Sequence, residues 1–78
     1  MNYKEGDIIV LEDGIEYIIV YLLQVRNHHY GLLMTAEEVN PTIKIGTFVT
    51  ENDQVIFKTT KNREQAMYIL ESILHQAQ

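Results

Sequence analysis

The most constraining feature of this sequence is the apolar run from Ile15 to Val25, which reads IEYIIVYLLQV. Seven apolar or aromatic residues follow one another from Tyr17 to Leu23, far fewer than the roughly 20 residues that a membrane-spanning helix needs. β-Branched and aromatic side chains dominate the run, and both classes favour a pleated strand over a helix. The run is therefore predicted to be a strand at the centre of the protein's core.

Both faces of this strand are apolar, because side chains along a strand alternate between the two faces of a sheet. One face carries Tyr17, Ile19, Tyr21, Leu23 and Val25, and the other carries Ile18, Val20 and Leu22. A sheet with one face in water shows polar residues at every second position. We therefore expect this strand to be covered on both sides.

The chain has 78 residues and no cysteine, which predicts a single small domain, 1–78, without disulfides. A domain of this size buries only roughly 60 to 65% of its unfolded surface, and its usual supports are disulfides, a structural metal or oligomerisation. The 23 Ile, Val and Leu residues are nevertheless too many for an intrinsically disordered protein. We therefore expect a folded domain in which oligomerisation contributes to stability.

The formal net charge is −5, from 6 Lys and Arg residues against 11 Asp and Glu residues. Nucleic-acid affinity depends on basic side chains that neutralise phosphates, so this balance argues against a nucleic-acid partner. The polar and acidic N-terminus, MNYKEGD, has no hydrophobic segment behind a basic flank. We therefore predict no signal peptide, no membrane association and a cytoplasmic location.

The remaining pattern predicts an α+β fold: an antiparallel sheet of about five strands, mostly in meander order, with one C-terminal helix packed on one face. The strands are predicted near 7–11, 15–25, 30–35, 43–50 and 54–60, and the helix near 62–76. Asn62 is the predicted N-cap of this helix, with Thr60 as an alternative. The apolar face of the helix is predicted to contain Ala66, Ile69, Leu70, Ile73, Leu74 and Ala77.

The first turn sets the predicted register of the first hairpin. Asp13 and Gly14 suit a two-residue type I′ turn, because glycine accepts positive φ and aspartate tolerates it. This turn pairs Val10 with Tyr17.

The two later turns set the other predicted registers. A polar break at 26–29, with a loop of two or four residues, is predicted to pair Val25 with Tyr30. A three-residue loop connects the last two strands, with Asn52 or Asp53 in the left-handed conformation. In that register one face holds Ile43, Ile45, Val49, Val55 and Phe57, and the other holds Lys44, Phe48, Ile56 and Lys58.

Residues suited to chemistry are few and dispersed. His28 and His29, together with the carboxylates of Glu37 and Glu38, make the strongest candidate for a metal or catalytic group. Nothing in the sequence brings the two pairs together, and we interpret the histidines as part of a solvated hairpin turn. The sequence therefore predicts no catalytic, cofactor-binding or metal-binding residue, no cofactor and no enzyme activity.

The order EDGIEYIIV, then YGLLM, then a strand ending in VIF, and then the helix EQAMYILESIL resembles the YrzB-like family of small, uncharacterised, acidic proteins of Gram-positive bacteria. The resemblance extends over residues 6–74 and consists of a strand-turn-strand signature and a helix pattern. It implies a bacterial protein of this architecture, and it supplies no activity and no site residues.

A count of apolar faces leads to the predicted function. A single helix of about 15 residues is roughly 22 Å long, so it covers one face of the sheet and leaves the other apolar. We therefore predict a non-enzymatic protein–protein interaction or assembly module that self-associates, most simply as a two-fold dimer. The candidate interface residues are Ile9, Ile18, Val20, Leu22, Leu33, Tyr30 and Tyr68.

Three alternatives remain open. The first is a small regulator or inhibitor, of phage or mobile-element type, that binds a host protein. The second is a weak metal site or enzyme that uses His28 and His29. The third is a nucleic-acid binder, which requires a cluster on the exposed face of the last two strands, made of Lys44, Lys58, Lys61, Arg63 and Phe48.

Overall fold

The computed structural model describes residues 3–76, which form five strands and one helix. The strands are β1 (Ile8–Val10), β2 (Glu16–Val25), β3 (His28–Met34), β4 (Ile43–Glu51) and β5 (Gln54–Thr59), and the helix is α1 (Arg63–Gln76). The strands form one antiparallel sheet in the order β1-β2-β3-β4-β5, which is curled as a half-barrel. The predicted α+β fold and meander order are confirmed.

The first hairpin has a longer loop than the two-residue turn predicted from the sequence. Its loop contains three residues, 12–14, because the amide of residue 11 bonds to the carbonyl of residue 15. Gly14 has a φ of 77°, in the left-handed region that was predicted for it. The extra loop residue shifts the register by one, so Ile9 rather than Val10 lies opposite Tyr17.

A bulge at Val20 changes the face pattern of β2. Ile19 pairs with Leu33 and Tyr21 pairs with Leu32, so Val20 is an extra residue on its strand. The predicted alternation is therefore wrong beyond the bulge. Tyr17, Ile19 and Leu22 share one face, and Ile18, Tyr21, Leu23 and Val25 share the other.

The second turn has the shorter of the two predicted loop lengths. It consists of residues 26 and 27, the first of which has a φ of 58°, and Val25 pairs with His28. The predicted pairing of Val25 with Tyr30 is wrong, because the tight turn lets two more residues join the ladder. His28 and His29 consequently belong to β3 and not to a solvated turn.

The last hairpin turns through two residues, Asn52 and Asp53, with φ values of 51° and 63°. Two consecutive positive φ values are the pattern of a type I′ turn, so the predicted three-residue loop is wrong. The shorter loop pairs Phe48 with Phe57 on one face. That face also holds Lys44 and Val55, and the opposite face holds Ile43, Ile45, Val49, Ile56 and Lys58.

The concave face of the sheet encloses the first part of the core. Its buried cluster consists of Tyr17, Ile19, Leu33 and Phe48, and the side chains packed against it are Tyr3, Ile9, Leu11, Leu22, Val55 and Phe57. Side chains from both edge strands meet here, and the Tyr3 ring lies 5.6 Å from the Phe48 ring. The curl of the sheet therefore buries this face without a helix.

The helix α1 covers part of the convex face, where it contacts β2, β3 and β4. Its cluster consists of Leu23, Tyr30, Ile69 and Ile73, with Val25, Leu32 and Ile45 packed against them. The predicted N-cap is confirmed, because Asn62 Oδ1 accepts hydrogen bonds from the amides of Glu64, at 2.8 Å, and Gln65, at 3.3 Å. Leu74 is exposed, and Ala77 lies outside the described residues.

Two paired glycines allow the sheet to curl. Gly31 and Gly46 are partners across β3 and β4, on the concave face. A Cβ at Gly31 would lie 2.6 Å from the Phe48 ring, and a Cβ at Gly46 would lie 2.8 Å from the Phe57 ring and against the carbonyl oxygen of Lys58. The two rings therefore occupy the space that side chains at these positions would need.

We expect Gly14→Val to destabilise the protein by about 1 to 3 kcal/mol, because a β-branched residue is strained at positive φ. No atom lies within 4 Å of a Cβ built at Gly14, so the cost comes from the backbone and not from a clash. Chemical denaturation measures the loss. Glu12→Val is the matched control in the same loop, and equal stability of the two variants would contradict the conformational requirement.

We expect Gly46→Ala to destabilise the protein by about 1 to 3 kcal/mol, because its Cβ overlaps a backbone carbonyl and the Phe57 ring. The control is Thr50→Ala on the same strand, where the side chain is exposed. Thermal unfolding followed by near-ultraviolet circular dichroism reports both stability and the aromatic packing. A Gly46→Ala protein as stable as wild type would show that the close approach is not needed for the curl.

Candidate interaction surfaces

The structure distributes the candidate interface residues over different parts of the protein. Leu33 and Tyr30 are buried within the chain, at 0% and 9% exposure. The remaining residues are half-buried or exposed: Ile9 and Leu22 pack on the concave cluster, Ile18 lies on the convex face, Val20 forms the bulge, and Tyr68 is 52% exposed on α1. These seven residues therefore do not form one continuous surface.

His28 and Tyr30 of β3 form an aromatic contact with Tyr68 of the helix. The rings of His28 and Tyr30 stack with centroids 6.0 Å apart, and the Tyr68 ring meets Tyr30 edge-on at 6.3 Å. His29 lies on the opposite, concave face, where it pairs with Phe48. The two adjacent histidines therefore diverge.

The carboxylates considered with these histidines lie at the other end of β3. Glu37 and Glu38 are exposed in the loop that follows this strand, and the seven residues of β3 span roughly 23 Å. Within residues 3–76, no three His, Cys, Asp or Glu side chains lie close enough together to hold a metal ion. The structure brings none of the four proposed ligands into one group.

An apolar row crosses four strands on the convex face. Ile8 pairs with Ile18, Ile18 with Met34, and Met34 with Ile43. Ile8 and Ile43 are 61% and 55% exposed, and the two residues between them are half-buried. We call these four residues the apolar row. Of these four residues only Ile18 was a predicted interface residue, because the predicted registers do not align the row.

A cleft of about 770 Å³ lies between the two edges of the half-barrel. One wall is the first hairpin loop, and the other is the β5 edge with its neighbours. Its lining consists of Leu11, Glu12, Asp13, Lys44, Glu51, Ile56, Phe57, Lys58, Thr59 and Lys61. A smaller cleft of about 240 Å³ between β1 and β5 reaches Tyr3 and Phe48. We call the space between β1 and β5 the seam, and no pairing of these two strands closes it in the described residues.

The charges around the larger cleft balance one another. It has three lysines, Lys44, Lys58 and Lys61, and three carboxylates, Glu12, Asp13 and Glu51. Lys58 Nζ lies 2.6 Å from Glu51 Oε1. Phe48 is only 5% exposed, so it does not lie on an exposed face as the nucleic-acid alternative requires. A basic surface with an exposed aromatic ring, which the nucleic-acid hypothesis requires, is not formed by these residues.

Asp13 connects the first hairpin loop to the core. Its Oδ2 accepts a hydrogen bond from the Tyr17 hydroxyl at 2.8 Å, and its Oδ1 accepts one from the Ile15 amide at 2.9 Å. These bonds, the backbone one first, lower the pKa of Asp13. Burial of the Tyr17 ring, followed by the nearby carboxylate, raises the pKa of Tyr17. Lys44 Nζ lies 5.9 Å from the centre of the same ring.

No helix in the described range 3–76 is long and apolar enough to span a membrane. Comparison with protein-family models, with curated proteins and with solved structures finds no match to this chain.

We expect the pKa of Asp13 to lie below 3.8 in the folded protein, and Tyr17→Phe to raise it by removing one donor. A lowered pKa means that folding favours the ionised carboxylate. Its contribution to stability is present above the unfolded-state pKa and is lost as the pH falls through the folded-state value. Carbon-detected NMR titration measures the pKa directly. A folded-state pKa at or above 3.8 would contradict this bonding pattern.

Proposed function

We propose that this chain is a non-enzymatic protein–protein interaction module that self-associates as a two-fold dimer through the apolar row. The observation that carries the proposal is the exposure of Ile8 and Ile43 at the two ends of a row that is apolar across four strands. The exposed part of the row is on the order of 300 Å², about the size of the largest apolar patch on a typical folded protein, and such patches are often functional.

The dimensions of the helix support this choice of surface. The 14 residues of α1 give a helix about 21 Å long and about 10 Å wide. The 10 residues of β2 extend about 34 Å along the strand direction. A helix that contacts β4, β3 and β2 in turn therefore covers a band of the convex face. The apolar row lies at the strand ends, outside the cluster that the helix buries.

A two-fold dimer is the simplest assembly that covers such a row, because each copy presents the same surface to the other. A stable interface needs roughly 800 Å² from each partner, so the row would form its apolar centre. Neighbouring exposed side chains on the same face, Val10 and Tyr21, would extend the contact. We further propose that the protein is cytoplasmic, that it is bacterial, and that it is related to the YrzB-like proteins.

We expect light scattering of the wild type to give about twice the chain mass of 9.1 kDa. Ile8→Lys and Ile43→Lys should each raise the dimer dissociation constant by at least about 30-fold, roughly 2 kcal/mol, because they bury an unpaired charge at the centre of the interface. Both positions are more than half exposed, so the monomer fold should be retained.

Ile15→Lys is the matched control, because Ile15 is 47% exposed but lies outside the row. This control should remain dimeric. A monomeric wild type at millimolar concentration would overturn self-association and favour the alternative of a different protein partner on the same row. A dimer that persists in both row variants would overturn the row as the interface.

A further inference from the structure

The edge strand β5 presents free backbone groups to the seam. The amide of Thr60 bonds to the carbonyl of Ile45, which fixes the alternation of hydrogen bonds between β4 and β5. Every second residue of β5 therefore bonds to β4, and the residues between them point their amides and carbonyls away from it. The residues whose backbone groups point away from β4 are Val55, Phe57 and Thr59.

The edge strand β1 presents its free groups to the same space. Ile19 donates to the carbonyl of Asp7, and the amide of residue 11 bonds to the carbonyl of residue 15. The backbone amides and carbonyls of residues 7, 9 and 11 therefore face β2. Ile8 and Val10, which alternate with them, point their backbone groups into the seam.

The two edges have the same strand direction. β1 and β5 are the first and last strands of a five-stranded antiparallel meander, so they run parallel to each other. A single strand of the opposite direction can therefore pair with both in antiparallel geometry. From this juxtaposition we propose that the seam binds an extended segment of another polypeptide as a sixth strand, which closes the half-barrel.

The side chains around the seam define the chemistry of this segment. Ile9, Leu11, Val55 and Phe57 line its concave side, so every second residue of the segment is apolar. The opposing lysines and carboxylates of the larger cleft are equal in number, so the segment has no run of like charges. The six residues of β5 set its length at about six residues, or roughly 20 Å.

This site shares β1 with the proposed dimer surface but uses different groups of that strand. The strand pairs with the backbone edges of β1 and β5, whereas the dimer uses side chains on the convex face. Neither proposal requires the other, and a monomeric protein can bind the segment equally well.

The test uses a display library of random dodecapeptides selected on the full chain. We expect the enriched peptides to alternate apolar and polar residues. Proline has no amide hydrogen, so Thr59→Pro and Val10→Pro each remove a donor that points into the seam while leaving the existing ladders intact. Each should weaken binding of a selected peptide about tenfold. Thr59→Val and Val10→Thr keep the amide, and they should change binding by less than about twofold.

Amide hydrogen exchange on the wild-type protein provides a measurement that does not depend on the variants. The amides of Ile8, Val10, Val55, Phe57 and Thr59 should exchange fast in the free protein and slowly with peptide bound. The absence of an enriched peptide, or equal binding by the proline variants, would overturn the proposal. Protection confined to β5 would also overturn it, because the strand would then pair with one edge only.

Discussion

The close approach of two phenylalanine rings to two glycines is the constraint on which the curl of this sheet depends. Gly31 and Gly46 face each other on adjacent strands, and the rings of Phe48 and Phe57 lie over them, 5.0 Å apart and inclined at 63°. A Cβ at either glycine would overlap the ring that lies over it, so the ring and the strand would have to move apart. A flat five-stranded sheet would expose the face that contains Ile19, which in this structure has no exposure to solvent. The curl therefore buries the concave face, which a flat sheet would need a second helix to cover.

Strand β2 has two apolar faces because the curl of the sheet buries one of them and the helix covers part of the other. Before the bulge at Val20, Tyr17 and Ile19 point into the concave cluster; after it, Leu23 points to the helix. One strand therefore supplies buried side chains to both clusters. The bulge is also where β2 can bend, since an extra residue locally increases strand twist. The apolar run is explained by packing within one chain, and the question of a partner moves to the exposed row and the open edges.

The type and order of every element were predicted correctly from the sequence, but the pairing registers of the hairpins were not. Strand runs, the switch to helical periodicity and the Asn62 cap depend on local chemistry that a single sequence displays. Loop length depends on differences of one residue: Gly14 was correctly placed at positive φ, yet the loop around it has three residues rather than two. Because side chains alternate with period two, each such slip moves a strand's apolar set to the other face. The bulge at Val20 has no local signal, since it is surrounded by residues of the same kind. Gly31 and Gly46 did carry a local signal, because a glycine inside a strand often marks a close backbone approach.

The candidate surfaces were less predictable than the fold because both depend on what the registers leave uncovered. The apolar row exists only when Ile8, Ile18 and Met34 align, and a shift of one residue in the first hairpin would break it. The seam depends on strand number: a meander of five strands has parallel edges, and those edges cannot pair antiparallel with each other. Free edges are a liability that proteins usually shorten, charge or cover. Here β1 is short and β5 carries Lys58, whose ammonium group is already paired with Glu51. These features oppose uncontrolled aggregation, and they leave the backbone groups of Phe57 and Val10 accessible to a single strand that enters from the correct direction.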